Sequence, residues 1–110
     1  MTDERERFMG MALEEARRSG ELGNRAVGAV IVRGNEVLGR GGNQREATMN
    51  PVGHAEIEAL REAVTRMQSL DFAGCTLYTT LEPCPMCAGA IIVNGIHKVV
   101  VSQMHGEGDR

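Results

Sequence analysis

Between Asp3 and Ser19 apolar residues recur at helical spacing, with Phe8, Met9, Ala12, Leu13 and Ala16 on one face. Asp3 followed by Glu6 is an N-terminal capping pattern, and Gly20 and Gly23 supply a stop. The period then changes. Two β-prone runs, Ala26 to Arg33 and Glu36 to Arg40, flank Gly34-Asn35, which suits a tight hairpin because both residues tolerate positive φ. Gly41 and Gly42 are expected to break the second strand before a polar loop, Asn43 to Asn50. Helical spacing returns from His54 to Met67, where Leu60, Ala63, Val64 and Met67 form an apolar stripe opposite Glu58, Arg61, Glu62 and Arg66. Thr76 to Thr80 is a short β-prone run. A compact helix from about Cys84 to Val93 is predicted next, since Pro83 and Pro85 cannot sit inside a strand or helix but either is acceptable at a helix's first turn, and Asn94-Gly95 ends it. Lys98 to Ser102 reads as the last strand, and consecutive Val99, Val100 and Val101 ask for burial on both of its faces.

The predicted order is α-β-β-α-β-α-β: a hairpin, then crossovers that place helices on both faces of a central mixed α/β sheet and make the later strands parallel. At 110 residues this is a single domain over 1–110, with 103–110 expected to form a flexible tail.

Composition narrows the function classes. Twelve basic residues stand against 15 acidic ones, net −3, without a long run of either sign, which disfavours a large polyanionic partner without excluding a small one. No apolar stretch approaches the roughly 20 residues of a membrane helix, and the charged start leads into no signal-type block. Three cysteines, two of them spaced Cys-x-x-Cys, point to metal or redox chemistry in a reducing, cytoplasmic setting rather than to a disulfide framework.

Cys84 and Cys87 lie three apart at the predicted start of the third helix, so both sulfurs can share one cation, and a helix N-terminus favours the thiolate. His54 opens the second helix, and the strand between brings both helix starts to one sheet edge, where open α/β sheets bind ligands. His54 and Glu56 can address one centre only at a first turn, a placement that Pro51 and Gly53 support. One nitrogen and two sulfurs leave a tetrahedral zinc with an open position for an acidified water, and Glu56 is the natural proton carrier. Alone, His-x-Glu reads as a surface helix feature, with His54 beside Glu58. Alone, Cys-x-x-Cys reads as redox or as structural zinc with a fourth ligand from His97, His105 or Cys75. Their composite, with 26 residues between Glu56 and Pro83, is specific.

His54-Ala55-Glu56 and the run from Thr80 through Pro83-Cys84-Pro85-Met86-Cys87 to Ala90 match the H-x-E…P-C-x-x-C signature of zinc nucleobase deaminases. With Val27 to Val32 and Gly41-Gly42-Asn43, the chain resembles the cytidine deaminase-like superfamily over about residues 3–102, in the branch of tRNA adenosine, guanine and fungal-type cytosine deaminases. The resemblance implies a three-layer cytidine deaminase-like fold and one zinc per chain on His54, Cys84 and Cys87. It also implies Glu56 as proton shuttle and Asn43 and Ala55 against the substrate, although Asn43 also fits a plain turn residue after two glycines. The implied reaction is hydrolytic: activated water attacks the amine-bearing ring carbon and ammonia leaves, without an organic cofactor. Ile91-Ile92-Val93-Asn94-Gly95-Ile96 resembles the cytosine enzymes and the net charge weighs against RNA, so cytosine or another free base or nucleoside is favoured over tRNA adenosine or guanine. Relatives continue past the last strand with elements that close the pocket. A chain ending at Arg110 is therefore expected to be C-terminally short and to cover its apolar edge strand by homo-oligomerisation.

Overall fold

The computed structural model describes residues 3–102; the predicted tail, and His105 within it, lie outside the described residues. The elements follow the expected order: α1 (Glu4–Glu21), β1 (Gly28–Arg33), β2 (Glu36–Gly42), α2 (Ala55–Met67), β3 (Cys75–Thr79), α3 (Pro85–Val93) and β4 (Lys98–Val101). The strands form one sheet in the order β2-β1-β3-β4. β1 is antiparallel to both β2 and β3, and β4 runs parallel to β3. β2 and β3 therefore point the same way, as do β3 and β4, the arrangement that crossovers through α2 and then α3 require.

Two apolar layers flank the sheet. On one face Phe8 and Ala12 of α1 pack on Val30, Val32 and Tyr78, and the Phe8 and Tyr78 rings lie 5.5 Å apart. On the other, Ala55, Ala59, Leu60 and Ala63 of α2 and Ile91 of α3 cover Ala29, Ile31, Leu38 and Leu77. β1, in the middle, is buried from Gly28 to Val32. Three layers result, as expected.

Three local expectations need correction. Gly41 and Gly42 do not break β2; they continue it, paired with Ala29 and Gly28. The reason is close approach: a Cβ at Gly41 would lie 2.7 Å from the Ala55 carbonyl oxygen and the Ala59 nitrogen, and one at Gly39 only 2.3 Å from the Ala59 oxygen. α2 thus rests on a glycine track through its small residues Ala55, Ala59 and Ala63. At the hairpin only Gly34 takes positive φ, at 62°, so the turn carries the left-handed residue first and Asn35 conventionally. Leu13, counted on the apolar face of α1, is half exposed; Phe8, Ala12, Ala16 and Ser19 are that helix's buried residues.

β4 is the expected apolar edge strand. It lies at the sheet edge with Val99 exposed and Val100 and Val101 only half-buried, so its valines are not covered on both faces by the described residues. Among these residues no helix is long and apolar enough to cross a membrane.

Candidate active site

The site forms where the carboxyl ends of β2 and β3 deliver the chain to α2 and α3. His54 is the N-cap residue of α2 and Cys84 that of α3; both are extended, with φ −79° and −73°. Neither side chain caps its own helix, which leaves both available to the site. Pro85 opens α3 and places Cys87 in its first turn, alongside Cys84. The turn leading to Cys84 is pinned from several sides. Thr79 Oγ1 donates to the Leu81 carbonyl at 2.9 Å, and Thr80 exchanges hydrogen bonds with the main chain of Gly28 at 3.0 and 3.1 Å.

His54 Nδ1 lies 3.5 Å from Cys84 Sγ and 3.4 Å from Cys87 Sγ. In a tetrahedral zinc site with ordinary bond lengths, nitrogen and sulfur ligands stand about 3.6 Å apart. The three donors fit that cation. They are also the one group of His, Cys, Asp and Glu side chains among the described residues found close enough to hold a metal. The fourth-ligand candidates are elsewhere: Cys75 is buried at the opposite end of β3, and His97 is exposed.

Glu56, in the first turn of α2, is 4% exposed and faces Cys87. Burial raises the Cys87 thiol far above its ordinary range, and the negative charges of Glu56 and Cys84 add to the rise. The helix N-terminus was expected to do the opposite; desolvation outweighs it. A doubly charged cation supplies the compensation such a cluster calls for, because coordination deprotonates a thiol. The chemistry of the donor set therefore agrees with its geometry.

A cavity of about 250 Å³ opens beside the triad, lined by Val27, Asn43, His54, Ala55, Glu56 and Cys84, with Arg25, Arg45, Glu46 and Glu82 also contributing. Every sequence-nominated residue except Cys87 lines it, and Cys87 sits beneath, fully buried. Ala55 is likewise fully buried, its small side chain leaving the cavity open. A larger hollow of about 680 Å³ lies outside α2 against Arg40, Glu62 and Phe72, away from the triad.

Asn43 combines its two candidate roles. It lines the cavity, and its Oδ1 also accepts the Arg45 N–H at 3.0 Å as a turn residue does. The sequence reading missed the groups that hold it and its loop. Ser19 Oγ donates to the Asn43 carbonyl at 2.5 Å, and Asn24 Oδ1 accepts from Ala47 N at 2.8 Å. Glu46 accepts from Asn43 Nδ2 at 3.2 Å. Ser19 at the end of a helix and Asn24 in a loop carry no functional pattern; only their burial, at 4% and 8% exposure, marks them.

Residues 2–103 match the family described as the cytidine and deoxycytidylate deaminase zinc-binding region. The chain belongs to this family. It is 41% identical over 100 residues to the tRNA-specific adenosine deaminase of Aquifex aeolicus (strain VF5), covering 91% of this chain and 66% of that protein. It is 36% identical over 104 residues to the cytosine deaminase of Candida albicans, covering 94% of this chain and 69% of that one. A solved structure from work on A-to-I editing by tRNA:A34 deaminases superposes with a TM-score of 0.89 at 38% identity, over 96% of this chain and 82% of the other. The chain thus spans about two thirds of the length of these curated relatives.

Proposed function

We propose that this chain is a zinc-dependent hydrolytic deaminase of a nucleobase or nucleoside, with adenosine in tRNA as the first substrate and residues 1–110 as one deaminase domain. The observation that carries the reading is the convergence of His54, Cys84 and Cys87, at 3.4 and 3.5 Å, beside a base-sized cavity that the buried Glu56 also lines. In this reading His54 Nδ1 and the two sulfurs hold one zinc. When bound, the metal supplies Lewis acidity that brings the pKa of water into the neutral range.

The chain's own residues do the rest. Glu56 takes a proton from the attacking water onto a carboxylate oxygen. It returns that proton to the ring nitrogen beside the amine-bearing carbon, and then carries the second to the leaving amine. Its burial excludes bulk water from that transfer. Ala55 leaves room for the ring, and Asn43 meets the base edge.

Cytosine, expected first from Ile91 to Ile96, finds no support over adenosine: the tRNA-specific adenosine deaminase is 41% identical and the cytosine deaminase 36%. A free base remains the second reading because the cavity lining balances Arg25 and Arg45 against Glu46 and Glu82 and so offers no net positive charge to a phosphate backbone. The deciding experiment measures ammonia release from an anticodon stem-loop with adenosine at its first anticodon position, and from adenine, adenosine, cytosine, cytidine and guanine. Turnover of the stem-loop supports the first reading and turnover of a free base the second. A zinc-loaded protein inert on all of them removes the enzyme and leaves a zinc-binding module.

The exposed β4 edge and the exposed Ile92 and Val93 of α3 support a homo-oligomer that covers them. A single sedimenting monomer at micromolar concentration contradicts this assembly.

A further inference from the structure

The cavity wall facing the sulfur ligands is made by two loops, the α1–β1 connection and the β2–α2 connection, and Asn43 is where they meet. Its side chain is 6% exposed. Nδ2 donates to the Arg25 carbonyl at 3.1 Å and to Glu46 Oε1 at 3.2 Å, while Oδ1 accepts from Arg45 N at 3.0 Å. A carboxamide has two N–H donors, and here protein atoms engage both. Two of the three partners are main chain. Glu46 is the one side chain among them.

Glu46 is itself anchored to both loops. The same Oε1 accepts from Arg25 N at 3.3 Å, and Oε2 lies 3.5 Å from Arg45 Nη1. Arg25 precedes β1 and Arg45 follows β2, so one carboxylate spans the two loops at the level of Asn43. These contacts also hold the Glu46 carboxyl below its ordinary pKa, the Arg25 N–H contributing most. Glu46 therefore stays an acceptor at neutral pH.

We propose that Glu46 is a positioning residue for base recognition: it fixes the carboxamide of Asn43 in one orientation before the substrate arrives. The inference rests on the deaminase reading for its consequence, but the orientation itself is a property of the protein alone. A free Asn side chain samples rotamers and can present either end of its amide; a clamped one loses no such freedom on binding. Removing the clamp weakens substrate binding and leaves the proton chemistry at Glu56 in place, so KM rises and kcat holds.

The test has two arms on the zinc-loaded protein. In the first, the Asn43 side-chain amide signals, identified by their loss in Asn43→Ala, are followed by NMR. Wild type is expected to show two well-separated, slowly exchanging protons; in Glu46→Ala the proton that Glu46 accepts moves towards the position of a free carboxamide, while the one held by the Arg25 carbonyl moves less. Unchanged signals in Glu46→Ala overturn the proposal. In the second arm, Glu46→Ala raises KM about tenfold, the loss of one hydrogen bond to a charged acceptor, with kcat within about twofold of wild type. Glu46→Gln, which keeps a carbonyl acceptor for the Asn43 N–H, recovers most of the loss. In an Asn43→Ala background Glu46→Ala has no further effect on KM, because the two act as one unit. Additive effects, or a Glu46→Gln as impaired as Glu46→Ala, overturn the proposal. If the wild type turns over no base, the deaminase reading falls and the NMR arm alone decides the positioning role.

Discussion

Replacing Gly41 by alanine asks whether the close approach of α2 to β2 sets the geometry of the proposed metal site. The new Cβ would lie 2.7 Å from Ala55 O, Ala59 N and Glu58 Cβ. Non-bonded heavy atoms prefer about 3.5 Å or more, so the first turns of α2 must move outward by about 0.8 Å, or β2 must yield. Two of the three obstacles are backbone atoms, which cannot rotate aside. Overpacking of this kind costs about 1–3 kcal/mol, against a total stability of about 5–15 kcal/mol for an ordinary domain. The protein therefore still folds.

The site suffers more than the fold. His54 and Glu56 ride on the displaced turn, and metal sites tolerate ligand errors of only about 0.2 Å. Zinc affinity is expected to fall about tenfold or more. Gly39→Ala is the control: its Cβ meets Ala59 O at 2.3 Å and Ala63 N at 2.7 Å, one helical turn farther from His54. It should cost at least as much stability and disturb zinc binding less. Competition with a chromophoric chelator reads the affinity, and urea unfolding reads the stability. A Gly41→Ala protein with wild-type zinc affinity refutes the reasoning, as does a Gly39→Ala protein that loses more zinc affinity than Gly41→Ala.

Four further outcomes are expected. Glu56→Ala retains one equivalent of zinc by metal analysis but loses about 10²–10⁴-fold in turnover; loss of the metal as well would make Glu56 structural. Phe8→Ala, emptying a side chain 1% exposed, costs about 3–5 kcal/mol in chemical unfolding, and a loss below 1 kcal/mol would mean that the α1 layer collapses to fill the space. The Glu46 carboxyl titrates below the ordinary range because the Arg25 N–H, its own backbone N–H and Asn43 favour its charged form. Its stabilising contribution is thus fully present above the unfolded carboxylate pKa and is lost as pH falls through the lower, folded value; NMR titration of its side-chain carboxyl checks the direction. In metal-free protein, Cys84, partly exposed, is alkylated before Cys75, whose thiol burial pushes up; mass spectrometry of a timed reaction shows the order.

How much of this was legible depended on how far apart the interacting residues lie in the chain. The proximity of Cys84 and Cys87 was readable because spacing encodes it: they share a first turn, and Pro83 and Pro85 announce where that turn begins. The element order was readable from periodicity alone. Gly41 and Gly42 were misread because glycine ends a strand in one setting and permits close packing in another, and only the position of α2 decides between them. The track on that helix was half missed for a related reason. Leu60 and Val64 dominate the hydrophobic pattern, whereas the contact is made by Ala55, Ala59 and Ala63, whose value is smallness. Ser19, Asn24 and Glu46 were illegible as site residues because their partners lie in a different loop or helix, and a polar side chain in a loop reads as solvated until its burial or partner is known.

His54 and Cys84 are separated by 30 positions in the chain, yet they stand at the starts of two helices 3.5 Å apart. A cation held by both is a cross-link. Like a disulfide across a loop of that length, it would restrict the unfolded chain and favour the fold by about 3–4 kcal/mol in the loop-closure picture. The tie would be reversible, opened by acid or a chelator rather than by a reductant. Persistence of the fold and readiness of the site would then be set by a single variable, the free zinc concentration around the molecule.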